Sequence, residues 1–167
     1  SGTLTANSSS NTTLATTITG AGGVSKAGSG TLNLTGANTY TGATSVFGGT
    51  LAVNGSLTSN VTVNVGGTLG GSGVIAGNVT TLGTLAPGNS IGTLTVNGNY
   101  VQSVGSTYTV EVNAAGQSDK LNVTGTATVA GGTVAVQAQS GSYAPNTTYT
   151  ILTANGGVSG SYTNVTS

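Results

Sequence analysis

Chemistry in this chain of 167 residues has little to draw on, because its only charged side chains are Lys26, Glu111, Asp119 and Lys120. Glu111 and Asp119 form the single carboxyl pair, and paired acids serve β-helical glycosidases and lyases. Pectate-type lyases also require arginine or several calcium-binding aspartates, and here there is no Arg and one Asp. Ser118 and Lys120 would make a Ser–Lys nucleophilic dyad only if no turn separates them. The plainer reading is that Asp119 caps a turn or pairs with Lys120 across it, while Glu111 faces solvent.

The missing residue types exclude most other chemistry. Without His or Cys the chain has neither the commonest general base and zinc ligand nor thiolates and disulfides. The Gly-x-Gly runs near Gly28 and Gly71 precede no helical pattern, so they read as turns rather than phosphate loops. No catalytic, cofactor-binding or metal-binding residue is therefore assigned. A formal net charge of zero also argues against nucleic acid and anionic lipid as partners. No apolar run is long enough for a membrane-spanning helix, and six Tyr with one Phe cannot supply the two aromatic girdles of a membrane barrel.

What must position these few groups is legible in composition and repeat. Gly, Thr, Ser and Asn make up 98 of the 167 residues, which by itself suggests a flexible linker. Against that, 35 Val, Leu and Ile are spread along the whole length, and 23 of them are β-branched. They lie in short alternating runs such as Thr31-Leu32-Asn33-Leu34-Thr35 and Val61-Thr62-Val63-Asn64-Val65, closed by Gly, Asn or Ser. That is the pattern of strands separated by tight turns. Gly-Thr-Leu recurs at Gly2, Gly30, Gly49, Gly67, Gly83 and Gly92, and the steps from Gly30 to Gly83 are 19, 18 and 16 residues. Such spacing fits a solenoid in which each repeat is one coil. At about 4.8 Å per coil, about eight coils would form a rod on the order of 40 Å long.

The pattern changes after Pro87. Strands lengthen at Thr107–Val112 and Lys120–Thr124, five of six Tyr lie at or beyond residue 100, and Asn155-Gly156-Gly157 between two alternating runs predicts a hairpin. Thr-x-Thr units, the motif with which some β-helices order water on ice, occur at Thr3, Thr17, Thr93, Thr107 and Thr126, too irregularly for a continuous lattice.

The run Lys26-Ala27-Gly28-Ser29-Gly30-Thr31-Leu32, followed by Gly36-Ala37-Asn38-Thr39-Tyr40-Thr41-Gly42, resembles the passenger-associated transport repeat of Gram-negative autotransporters. Pro87-Gly88-Asn89-Ser90-Ile91-Gly92-Thr93-Leu94, Ser118–Gly125 and Tyr149–Ala154 resemble later parts of the same passenger region. The resemblance covers about residues 20 to 167. It implies an all-β protein, a right-handed parallel β-helix ending in an autochaperone segment, displayed on the cell surface or secreted after export through the periplasm.

The expected organisation is β-helix coils over 1–87, with the transport-repeat-like segment at 20–54, and a C-terminal autochaperone with a β-hairpin or β-sandwich-like cap over 88–167. Tyr100, Tyr108, Leu121, Val123, Tyr149, Ile151 and Tyr162 are expected in the cap's core, and Gly156 and Gly157 at its hairpin. The expected role is non-catalytic: a stalk that nucleates extracellular folding and supports outer-membrane secretion. Its implied partners are the protein's own C-terminal barrel and the N-terminal passenger. The alternatives are an adhesin or self-association module and an ice-binding β-helix.

Overall fold

Apolar residues at every second position, broken by Gly or Asn every few residues, permit short strands and no helix. The computed structural model describes residues 2–167, and every regular element among them is a strand of two to six residues. The strands stack into three parallel sheets. Sheet 1 contains Thr3–Asn7, Gly23–Ala27, Thr44–Val46, Val61–Val63, Val79–Thr81, Tyr100–Gln102, Ala127–Val129 and Val158–Gly160. Sheet 2 contains Thr12–Leu14, Thr31–Leu34, Gly49–Val53, Gly67–Gly71, Thr84–Pro87, Thr107–Val112, Thr133–Ala138 and Asn164–Thr166. Sheet 3 contains Ala37–Asn38, Ser56–Leu57, Val74–Ile75, Thr93–Val96, Lys120–Val123 and Leu152–Ala154.

The chain visits sheets 1, 2 and 3 in turn and then starts again one layer along, which makes it a parallel β-helix of eight coils among the described residues. Coils 1 and 8 contribute no strand to sheet 3. Register places like on like. The Gly-Thr-Leu leucines Leu32, Leu51, Leu69 and Leu85 stack inward, followed by Tyr108 and Val134. Their threonine neighbours Thr31, Thr50, Thr68, Thr84, Thr107 and Thr133 form one outward rank on sheet 2. Sheet 3 adds Leu57, Ile75, Val96 and Val123 to the same buried column.

Successive coils along the column Leu32, Leu51, Leu69, Leu85, Tyr108, Val134 and Val165 advance by 19, 18, 16, 23, 26 and 31 residues. Growth after Pro87 is concentrated at the corner between sheets 2 and 3. That corner takes two residues in coils 2, 3 and 4, then five, seven and thirteen in coils 5, 6 and 7. The three ladders themselves run on unbroken across residue 87.

Asn155-Gly156-Gly157 does not make the expected hairpin. Leu152–Ala154 pairs in parallel with Lys120–Val123, and Val158–Gly160 pairs in parallel with Ala127–Val129, so the turn is the corner from sheet 3 to sheet 1. Parallel partners already occupy the strands on either side, and Gly156 N–H donates to Gly125 O of the coil beneath at 2.9 Å. Antiparallel contact appears instead as isolated bridges, Gly71 with Gly88 and Val112 with Ser118, at the enlarged corner. The Thr-x-Thr units also separate: Thr3 and Thr5 belong to sheet 1, Thr93 and Thr95 to sheet 3, and Thr107 and Thr109 to sheet 2. Each face therefore carries single hydroxyl ranks rather than one two-row lattice.

Because each coil contributes one layer of a narrow column, truncation in mid-column leaves a void that neighbouring layers, held by their own ladders, cannot fill. Leu69, fully buried in coil 4, is such a layer. Leu69→Ala is expected to lower the free energy of unfolding by about 2–5 kcal/mol, measured by urea titration of circular dichroism at unchanged β-sheet content.

Candidate functional site: polar clamps between the coils

Lys26 occupies an inward position of sheet 1, in register with Val46 and, one coil further, Val63. It is 2% exposed, and an ammonium in that place requires hydrogen-bond partners. Its Nζ donates to Ala27 O at 2.7 Å, Gly28 O at 2.8 Å and Gly48 O at 3.0 Å. The ammonium's three donors thus meet three carbonyls. Two carbonyls belong to the corner of its own coil and the third to the next coil, so the side chain fastens coil 2 to coil 3. Burial draws the Lys26 pKa below its ordinary 10.5. Gly28 makes this corner possible: its φ is +72°, and a Cβ there would lie 2.7 Å from Ser8 O of coil 1.

Asn38 performs a similar task on sheet 3. Buried, it accepts Ile18 N–H at 3.0 Å and donates from Nδ2 to Gly36 O at 2.9 Å and Ser56 O at 3.1 Å, so one side chain binds coils 1, 2 and 3. Tyr40 fills the wide corner that returns coil 2 to sheet 1. Its hydroxyl meets Thr44 Oγ1 at 2.6 Å, and that oxygen meets Ser59 Oγ at 2.5 Å, forming a buried hydroxyl chain between coils.

A family model, the passenger-associated-transport-repeat, matches residues 24–53. Residues 24–53 are thus similar to that repeat. The matched span holds Lys26, Gly28, Asn38 and Tyr40, so the clamps just described lie inside it. The match supports an autotransporter passenger region, a class exported by Gram-negative bacteria to the cell surface or beyond it. No curated protein matches the chain significantly.

A second set of clamps follows the transport repeat at the corner between sheets 2 and 3. Asn89 Nδ2 donates to Asn54 Oδ1 at 2.7 Å and to Ser72 Oγ at 2.9 Å, and Asn54 Nδ2 donates to Asn33 Oδ1 at 2.8 Å. This side-chain ladder runs from coil 2 to coil 5. Asp119 carries the connection into coil 6: buried, it accepts Gly92 N–H at 2.9 Å on Oδ1 and Glu111 N–H at 2.8 Å on Oδ2. Gly88, with φ +88°, keeps the space free, since a Cβ would stand 2.4 Å from Asp119 Oδ1. Burial raises the Asp119 pKa above its ordinary 3.8; the two N–H bonds oppose the rise and the nearby Glu111 charge adds to it.

Both Asp119 oxygens accept backbone amides, so Asp119 caps backbone as one of the two plainer readings expects. Lys120 follows Asp119 into the sheet 3 strand, in register with Thr93, and alternation directs it outward while Asp119 is buried. The turn ion pair is thereby replaced by backbone capping. Ser118 bridges to Val112 and stands with Lys120 on either side of buried Asp119 with no turn between them, so alternation sets the two on one face.

Tyr100, Tyr108, Leu121 and Val123 are completely buried in coil 6. Tyr149, Ile151 and Tyr162 are partly buried and pack against that core. Tyr108 and Tyr162 are tilted ring on ring at 6.2 Å between centroids. Tyr108 OH donates to Ile151 O at 2.5 Å, the same carbonyl that accepts Leu121 N–H at 2.8 Å, and Tyr149 OH donates to Asn113 O at 2.7 Å. Burial raises the pKa of Tyr100, Tyr108 and Tyr162, so these hydroxyls stay neutral. Tyr100 donates to Gln102 Oε1 and Tyr108 to Ile151 O, while Tyr162 contributes its ring and its hydroxyl has no hydrogen-bond partner. Gly156 and Gly157 sit apart from this cluster, at the corner after Ala154. Sequence reasoning passed over the clamps. Their signal was there: in a chain with four charged side chains, each must either face water or be fully bonded.

Replacing Lys26 with Met keeps the stem and strands three carbonyls. Lys26→Met is expected to destabilise the protein by roughly 1–3 kcal/mol and to raise hydrogen exchange at the amides of coils 2 and 3 before those of coil 6. For Asp119, a folded pKa above the unfolded value means the native state binds the proton more tightly. Its contribution therefore favours folding in acid and diminishes as pH rises from 3.8 toward the raised folded value. The difference in unfolding free energy between wild type and Asp119→Asn, followed by urea titration from acid to neutral pH, should fall across that window and flatten above it.

Proposed function

We propose that the protein is a non-catalytic β-helical stalk of an autotransporter passenger, with residues 88–167 acting as its autochaperone: they fold first outside the cell and template the coils that precede them. The observation that carries the reading is the contrast between the two halves of the rod. Coils 6 and 7 share the longest ladder, Thr107–Val112 against Thr133–Ala138, six pairs in register. Coil 6 also holds two fully buried tyrosines, Tyr100 and Tyr108, whereas coils 2 to 4 hold one, Tyr40, and rely on two- to five-residue strands with two-residue corners between sheets 2 and 3.

A thin coil by itself gains little. Its pairing partners are 16 to 21 residues away, so loop closure must be met before any ladder bond forms. Once a neighbouring coil exists, each new strand finds a finished edge and a finished column to dock on. Heavy coils at the C-terminal end supply that first edge, and coils added on the far side of the outer membrane oppose sliding back through the secretion channel. This arrangement calls for a barrel following the chain and a passenger preceding it as partners, with surface display as the outcome. The transport repeat sits among the thin coils and contributes the clamps that hold each arrival in register.

Separate expression tests the reading: 88–167 should show a cooperative urea transition with β-sheet circular dichroism, while 1–87 should be unfolded or aggregated. Equal folding by 1–87 alone would refute the template role. The surface exposure of the intact passenger in cells should likewise fall for Tyr108→Ala and remain for a conservative exchange such as Tyr108→Phe.

A further inference from the structure

Outward positions on this rod are overwhelmingly Thr, Ser, Asn and Gly, so large exposed apolar side chains stand out. Away from the terminal coils they are Phe47, Val65, Val74, Leu82, Val101 and Val104. Four of the six lie on one corner, the turn from sheet 1 to sheet 2, in four consecutive coils: Phe47 in coil 3, Val65 in coil 4, Leu82 in coil 5 and Val104 in coil 6. Backbone bonds keep these turns stacked, Phe47 N–H on Lys26 O, Asn64 N–H on Val46 O, Leu82 N–H on Val63 O and Ser103 N–H on Thr81 O. Val101, on the adjoining strand of coil 6, widens the strip. The chain's only Phe is 54% exposed here, and Val65 and Val104 are 79% and 77% exposed.

The surroundings narrow down what can cover this ridge. On one side runs the sheet 1 rank Ser45, Thr62 and Thr80; on the other runs the sheet 2 rank Thr50, Thr68, Thr84 and Thr107. An apolar centre rimmed by neutral hydroxyls has the anatomy of a protein interface. It has no charge to pair with a charged partner, whose ions would be desolvated without compensation. Lys26 and Asp119 are buried, and the other two charges, Glu111 and Lys120, belong to the sheet 2 and sheet 3 strands that flank the opposite corner. A second copy of this chain meets the requirement, since it offers the same uncharged face.

We propose that two copies pair along this corner, antiparallel, about a twofold axis between coils 4 and 5. That axis sets Val65 of one copy against Leu82 of the other and Phe47 against Val104, so every large side chain on the ridge faces another. Such a contact is isologous and closes on itself as a dimer. The ridge spans four layers, about 14 Å at roughly 4.8 Å per layer. A strip of five side chains is narrower than the roughly 20–30 residues per side, about 800 Å² per partner, of a stable complex. The pairing is consequently weak for one pair of rods and gains strength where many rods are displayed side by side. It is independent of the folding role, which rests on the C-terminal coils.

Sedimentation velocity of the full chain from about 10 µM to about 1 mM should show concentration-dependent dimerisation. Phe47→Ser with Leu82→Ser should abolish it, while Val74→Ser, on sheet 3, should leave it unchanged. The chain has no cysteine, so introduced thiols report cleanly. A mixture of Val65→Cys and Leu82→Cys proteins under mild oxidation should give mainly the mixed disulfide. Predominant Val65→Cys homodisulfide would overturn the antiparallel axis. Monomeric wild type at the highest concentration, or dimers unaffected by the double substitution, would overturn the proposal. Monomers that instead bind neutral phosphatidylcholine vesicles through Phe47 would assign the ridge to a lipid surface.

Discussion

Coil-to-coil backbone pairing is the interaction on which everything else in this molecule depends. Each strand finds its partner one full coil away in sequence, and the same three ladders bear the rod from one end to the other. Net-zero charge, thin strands and a column only a few side chains wide are all tolerable because the ladders supply directionality and register. In return, the ladders require that corners recur at matching heights. The Gly-Thr-Leu repeat meets that condition: leucine marks the column, threonine the outer rank, and glycine the corner before them.

The polar clamps serve the same constraint. A ladder fixes strands along their length but leaves corners free to drift, and corners are where successive coils differ most in length. Lys26, Asn38, Asn89 and Asp119 each bond to backbone or side-chain groups of a different coil. Buried charge in this protein thus replaces neither packing nor ion pairing; it satisfies carbonyls and amides that turns would otherwise leave open. That use explains why a chain with four ionisable charges hides two of them.

The two long edges of the rod diverge in character. The corner between sheets 2 and 3 expands toward the C-terminus and holds the Asp119 clamp, the excursion at 113–119 and the tyrosine-anchored loop of coil 7. The corner between sheets 1 and 2 stays short and presents aliphatic and aromatic side chains outward. One edge is specialised for building coils on coils. The other offers a face to something outside the rod.

Local pattern was enough to determine the all-β class, the short strands, the near-constant pitch of the first coils and the lengthening after Pro87. Period-two alternation and glycine spacing act within one strand and one turn, so they are readable without a partner. Tertiary structure alone decided that Asn155-Gly156-Gly157 would be a corner, because the turn's own residues favour a hairpin and only the occupied parallel edges forbid it. It alone decided that Lys26 and Asp119 would be buried. The carbonyl that completes the Lys26 cage lies 22 residues away and the amide Asp119 caps lies 27 residues away. Those distances are a coil's length, so the partners come together only when one coil is laid on the next.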